Sequence, residues 1–124
     1  MGDVAQIDEG KKKYLSKAEI LAKDDVSFIE MDIPQWDGTI RFRSLTGDEA
    51  IEFGKRLDDM DAKQEAVIDL FATSVVDENG NKLFEPHDIR RLRKKSWAVF
   101  LKAQNKLLEF NGYTDAAKKA AKND

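Results

Sequence analysis

Apolar and polar residues alternate in two short runs near the middle of the chain, Ile29-Glu30-Met31-Asp32-Ile33 and Thr39-Ile40-Arg41-Phe42-Arg43. Between them lies Pro34-Gln35-Trp36-Asp37-Gly38. Alternation with period two on either side of a Pro/Gly loop predicts a β-hairpin, with strands over about 26–33 and 39–45. Charge suggests a register. With Ile33 opposite Ile40, Met31 faces Phe42 on one side, while Asp32 meets Arg41 and Glu30 meets Arg43 on the other. Cross-strand pairs of opposite charge contribute about 0.2–1 kcal/mol each. A slip of one residue would turn each apolar set to the wrong face.

The rest of the pattern is helical. Ser16-Lys17-Ala18-Glu19 is a capping box before Ile20 and Leu21 and predicts a two-turn helix that must dock or fray. Thr46-Gly47-Asp48-Glu49 is a second capping box. Its helix runs to about Asp58 and carries Ile51, Phe53 and Leu57. Gly54 inside it either weakens it, at about 1 kcal/mol relative to Ala, or admits a close neighbour. A third start at Asp61-Ala62-Lys63-Gln64 precedes Val67, Leu70, Phe71, Ser74 and Val75, an amphipathic face. That helix is expected to stop at the turn cluster Asp77-Glu78-Asn79-Gly80-Asn81. Pro86 suits a helix start. A final stripe of Trp97, Phe100, Leu101, Gln104 and Leu108, with Leu107 beside it, ends at Asn111-Gly112. The expected architecture is α+β and mostly helical, a small antiparallel hairpin or sheet with three to four helices packed beside it. Residues 16–112 form a single domain in this reading. Residues 1–15 are expected to be a disordered tail and 113–124 a frayed one.

Composition narrows the function classes. The 124 residues are 36% charged and 41% hydrophobic, with net charge −3. No global field therefore favours nucleic acid or an anionic membrane. There is no Cys, so thiolate chemistry is absent. No apolar run approaches the roughly 18 residues that span a bilayer, and the first residues contain no hydrophobic stretch that would serve as a secretion signal. The chain is expected to stay soluble where it is made.

Candidate chemistry is sparse. Asp77, Asn79, Asn81 and Asp88 fall at positions 1, 3, 5 and 12 of a calcium-loop pattern. That pattern requires Gly at position 6 and favours Glu at 12, where this chain has Lys82 and Asp88. A tight turn using Asn79-Gly80 is the simpler reading. His87 is the single histidine, too few for a zinc site. No Gly-x-Ser-x-Gly elbow or phosphate-binding glycine loop is present. Neither an enzyme nor a cofactor is expected. Two features point to partners instead. Arg90, Arg91, Arg93, Lys94 and Lys95 make a basic run that would attract phosphates or an acidic protein. The Trp97, Phe100, Leu101 and Leu108 stripe reads equally as core or as an apolar interface. Trp36, on the hairpin loop, is a second candidate aromatic contact.

The order of these pieces carries a resemblance. Ser16-Lys17-Ala18-Glu19-Ile20-Leu21-Ala22 leads into an acidic strand and Pro34-Gln35-Trp36-Asp37-Gly38-Thr39-Ile40-Arg41-Phe42-Arg43. Leu45-Thr46-Gly47-Asp48-Glu49 follows, then Ser74-Val75-Val76-Asp77-Glu78-Asn79-Gly80-Asn81-Lys82-Leu83-Phe84 and a helix ending near Asn111-Gly112. Over residues 16–112 the chain resembles the tail assembly chaperones of long-tailed bacteriophages and prophages. None of these motifs is catalytic; their combination and spacing carry the match. Residues 1–15 precede the usual start, and the Ala/Lys tail departs from the pattern. The resemblance implies an α+β fold and a non-enzymatic role in the host bacterial cytoplasm. Such a protein binds the tape measure protein, keeps it soluble and extended while the tail tube assembles, and is absent from the mature virion. It implies the major tail protein as a further partner, and self-association, with no membrane partner. The expected contacts are Trp36, Trp97, Phe100, Leu101 and Leu108, with Arg90, Arg91 and Arg93 steering. A small nucleic-acid-binding regulator using residues 90–95 is the alternative.

Overall fold

The structure, a computed structural model, describes residues 12–113. Helix α1 (Lys17–Ala22) precedes strand β1 (Phe28–Ile33), a 3-10 turn (Pro34–Trp36) and strand β2 (Gly38–Arg43). Helices α2 (Gly47–Asp58) and α3 (Lys63–Ser74) follow. Then come strand β3 (Val75–Val76), a second 3-10 turn (Pro86–Asp88), the single-turn helix α4 (Ile89–Leu92) and helix α5 (Trp97–Phe110). The sheet is antiparallel with order β1-β2-β3. The molecule is α+β and mostly helical, as its hydrophobic pattern predicts. The tails expected at 1–15 and 113–124 lie mainly outside the described residues.

The hairpin forms with both apolar sets on the expected face, but its register is corrected by two positions. Ile33 pairs with Gly38, Met31 with Ile40 and Ile29 with Phe42. The cause is the turn. Pro34 starts a 3-10 turn closed by the Asp37 N–H donating to the Pro34 carbonyl at 3.1 Å, and Asp37 takes a left-handed conformation at φ 51°. Asp tolerates that conformation better than most residues. The loop therefore needs only positions 34–37, and Gly38 joins the strand. A shift of two preserves the faces, so Met31, Ile33 and Phe42 are buried.

The same shift breaks the expected Asp32–Arg41 and Glu30–Arg43 pairs. Asp32 accepts from the Thr39 hydroxyl at 2.7 Å. The Arg41 guanidinium lies 4.2 Å from the centre of the Phe28 ring and donates to the Glu78 carbonyl at 2.7 Å. Arg43 reaches forward to Glu49 of α2, its Nη1 donating to Oε1 at 2.9 Å.

Helix α3 also differs from its forecast. Its N-cap is Ala62, with no side-chain cap, while the Asp61 N–H donates to Asp59 Oδ1 at 3.0 Å. Its buried residues include Ala66, Ile68 and Ala72 as well as Val67, Leu70, Phe71 and Ser74. A single amphipathic face cannot describe a helix that is covered on most sides. The helix ends at Ser74, and Val75 turns extended (φ −70°, ψ 130°) to pair with β2. This third strand, absent from the sequence reading, uses β-branched residues at an open sheet edge. Residues 77–81 then turn back. Asp77 Oδ1 accepts the N–H groups of Asn79 and Asn81 at 2.8 and 2.9 Å, and Gly80 sits at φ 86°.

The core joins the apolar face of the sheet to α2, α3 and α5 in one cluster. Phe71 is its centre. It meets Phe42 and Phe100 edge-on, with ring centroids 5.8 and 5.2 Å away. Both forward capping boxes form. The Glu19 N–H donates to Ser16 Oγ at 3.1 Å, and the Glu49 N–H to Thr46 Oγ1 at 3.3 Å. Beyond its own stretch of helix, nothing lies within 4 Å of where a Cβ on Gly54 would sit, so it weakens α2 without admitting a neighbour. Asn111 ties the end of α5 to the loop before α2. Its Oδ1 accepts the Leu45 N–H at 2.7 Å, and its Nδ2 donates to the Leu107 carbonyl at 2.8 Å.

Candidate partner-binding surface

Trp36, carried by the tight hairpin turn, lies edge-on to Phe71 at 6.1 Å between centroids and remains 37% exposed. Phe84, just after the β3 turn, leans on the same ring at 6.3 Å. Pro86 opens the next turn, where Asp88 Oδ2 accepts the Glu85 N–H at 2.9 Å. After α4 the chain stays tightly wound, with the Lys94 N–H bonded to the Arg91 carbonyl and the Lys95 N–H to that of Leu92. Leu92 is buried and anchors this turn. Together these residues line an open groove of about 550 Å³: Trp36, Phe84 and Leu92 are apolar, and Arg91, Lys94 and Lys95 are cationic. Among the described residues, Asp88 is the one carboxylate on its wall.

The groove gathers two of the expected contacts, Trp36 and Arg91, from parts of the chain far apart in sequence. It splits the expected arginine trio. Arg93 forms an ion pair with Glu65 of α3 at 2.5 Å, and Arg90 is exposed but does not line the groove. Sequence reasoning missed Phe84, which lies between a turn and a proline and carries no periodic signal. Lys94 and Lys95 enter the sequence reading only as part of the basic run.

The α5 stripe divides. Trp97 and Leu101, one turn apart, are each 40% exposed. Phe100 and Leu108 are buried in the core cluster, which corrects their assignment as partner contacts. The inward face is centred on Val99, Ala103 and Leu107. At about 100° per residue, that face is rotated by roughly a third of a turn from the stripe of large residues. The small side chains at Val99 and Ala103 face inward, where the neighbouring helix packs.

Other apolar side chains remain uncovered. Helix α1 has no buried residue, and Tyr14, Ile20 and Leu21 are exposed. Ile51 and Met60 are exposed as well. A separate groove of about 340 Å³ between α2 and α3 is rimmed by Asp48, Glu49, Glu52 and Asp69. Arg56 and Lys82 also line it, and Arg56 pairs with Asp69 at 2.7 Å. Burial pushes the Glu49 carboxyl up, but its bonds with the Arg43 guanidinium and the Thr46 backbone pull it further down, leaving it below its ordinary value. The Asp77 carboxyl is also lowered, chiefly by the backbone N–H of Asn81. Its oxygen therefore serves its own turn. His87 Nε2 lies 3.5 Å from Asp88 Oδ1.

The architecture is thus a small α+β domain, three antiparallel strands joined to helices through one core. A bacteriophage protein shares it: the structure of the bacteriophage HK97 tail assembly chaperone superposes with a TM-score of 0.54. The match covers 73% of this chain and 90% of that one, at 18% sequence identity. The fold expected from the resemblance is therefore the fold found. No family model and no curated protein matches the chain.

Proposed function

We propose that this protein is a phage tail assembly chaperone. It binds the tape measure protein in the host bacterial cytoplasm and keeps it soluble and extended until tail-tube subunits close around it. It then leaves, so the mature virion lacks it. The observation that carries this reading is the shared fold, which spans nearly the whole HK97 chaperone. The surface is compatible with the role. A holdase must offer apolar area to a client and enough charge to stay in solution. Trp36, Trp97, Leu101 and Leu21 are exposed apolar groups on a chain that is 36% charged. Neither cofactor nor bond-making chemistry is needed.

Co-expression with a phage tape measure protein tests the proposal. The soluble fraction of the client should rise several-fold, and the two should co-purify. An unchanged soluble fraction, with no co-purification, overturns it.

A further inference from the structure

We infer that the groove between the hairpin turn and α4 docks an acidic protein segment bearing one bulky apolar side chain. This deepens the chaperone reading, on which it rests for the identity of the partner but not for the chemistry recognised. The apolar floor is held by the core, because Trp36 and Phe84 both lean on Phe71 and Leu92 is buried. It is a preformed seat, and its volume of about 550 Å³ falls in the range of roughly 300–1,000 Å³ usual for ligand clefts.

The rim selects the partner. Arg91, Lys94 and Lys95 gather within one helical turn beside the floor, on a chain whose net charge is −3. Among the described residues the one opposing carboxylate, Asp88, is engaged by the Glu85 N–H. A ligand with carboxylates flanking an aromatic or large aliphatic group matches both surfaces. Charge complementarity of this kind steers encounter and fixes orientation.

Single-stranded nucleic acid fits less well. It needs cations spaced along a track of several nucleotides. Arg93, which would extend such a track, is tied to Glu65, and the α2–α3 groove is rimmed by carboxylates.

The test uses the full chain carrying Trp97→Phe, which leaves Trp36 as the only tryptophan. Three probes are titrated against its emission: a ten-residue peptide with acidic residues around one Phe, the same peptide with Lys for each acid, and a dT15 oligonucleotide. The acidic peptide should give a saturable change, the lysine peptide none, and the oligonucleotide weaker binding. Lys94→Glu with Lys95→Glu, both exposed positions, should weaken the acidic peptide at least about tenfold, or 1.4 kcal/mol. Circular dichroism of the double variant should match the parent.

Equal binding of the acidic peptide to the folded double variant overturns the inference. So does a lysine peptide that binds as well, or an oligonucleotide that binds more tightly. Co-expression separates this inference from the chaperone reading. A client kept soluble equally by parent and double variant preserves the chaperone and removes the groove. A peptide that binds as expected without any gain in client solubility preserves the groove and removes the chaperone.

Discussion

Phe71 is the residue whose loss should be felt furthest. It is 1% exposed and touches four other aromatic rings, those of Trp36, Phe42, Phe84 and Phe100. Two of these belong to the core, and two form the floor of the groove. Replacing a buried Phe with Ala costs about 3–5 kcal/mol, from lost transfer energy and the cavity left behind. A domain of this size has roughly 5–15 kcal/mol in total. At about 4 °C per kcal/mol the melting midpoint should fall by about 12–20 °C. Phe71→Leu keeps most of the volume but loses the edge-to-face contacts, each worth about 0.5–1.5 kcal/mol. It should fall between Ala and the parent. Urea unfolding followed by circular dichroism measures the loss, and an unchanged slope confirms that the two-state comparison holds. Ile51→Ala, at a position 59% exposed, is the control and should stay within about 0.5 kcal/mol. Trp36 emission should shift to the red in folded Phe71→Ala, because its packing partner is gone. A Phe71→Ala loss below about 1.5 kcal/mol with unchanged Trp36 emission would refute Phe71 as the support of both core and groove.

Two glycines should respond in opposite directions. At Gly80 the φ is +86° and an added Cβ would lie 3.3 Å from the Phe28 ring, so Gly80→Ala should destabilise by about 1–2 kcal/mol. At Gly54 the space is open, so Gly54→Ala should stabilise α2 by about 0.5–1 kcal/mol; thermal melts of the two variants check both signs. Asn111→Ala strands the Leu45 N–H and should cost about 1–3 kcal/mol in urea unfolding. Asn111→Asp keeps that acceptor and should cost less. Glu49 has a lowered pKa when folded, so its contribution is present above its unfolded pKa and is lost as pH falls through the folded value. Glu49→Gln should cost about 1 kcal/mol at neutral pH. The difference between variant and parent should close as unfolding is repeated from about pH 6 down to pH 3; a difference constant with pH would contradict the ion pair.

Much of this molecule is local and therefore legible along the chain. Ser16 with Glu19 and Thr46 with Glu49 specify helix starts through hydrogen bonds three residues apart. The alternation at 29–33 and 39–43 specifies the strands and their inward face. Asn79-Gly80 specifies a turn because glycine takes positive φ at little cost. Short range also explains the hairpin's partial success: side-chain parity is set by the pleat, but the pairing itself by how tightly Pro34 and Asp37 close the loop.

What lay beyond reach depends on packing between distant residues. Val75 and Val76 become a strand because β2 offers them an open edge. The inward face of α5 is set at Val99 and Ala103 by its packing neighbours, so Phe100 and Leu108 went to the core while Trp97 and Leu101 stayed outside. The groove exists because one phenylalanine on α3 supports two aromatics from different loops beside a basic turn. The order of residues alone determined the two capped helix starts, the hairpin strands and the face those strands turn inward. Only the tertiary structure decided which apolar sides meet and which charges are consumed in pairs. Which apolar groups stay uncovered followed from those meetings, because burial is a property of neighbours and not of sequence position.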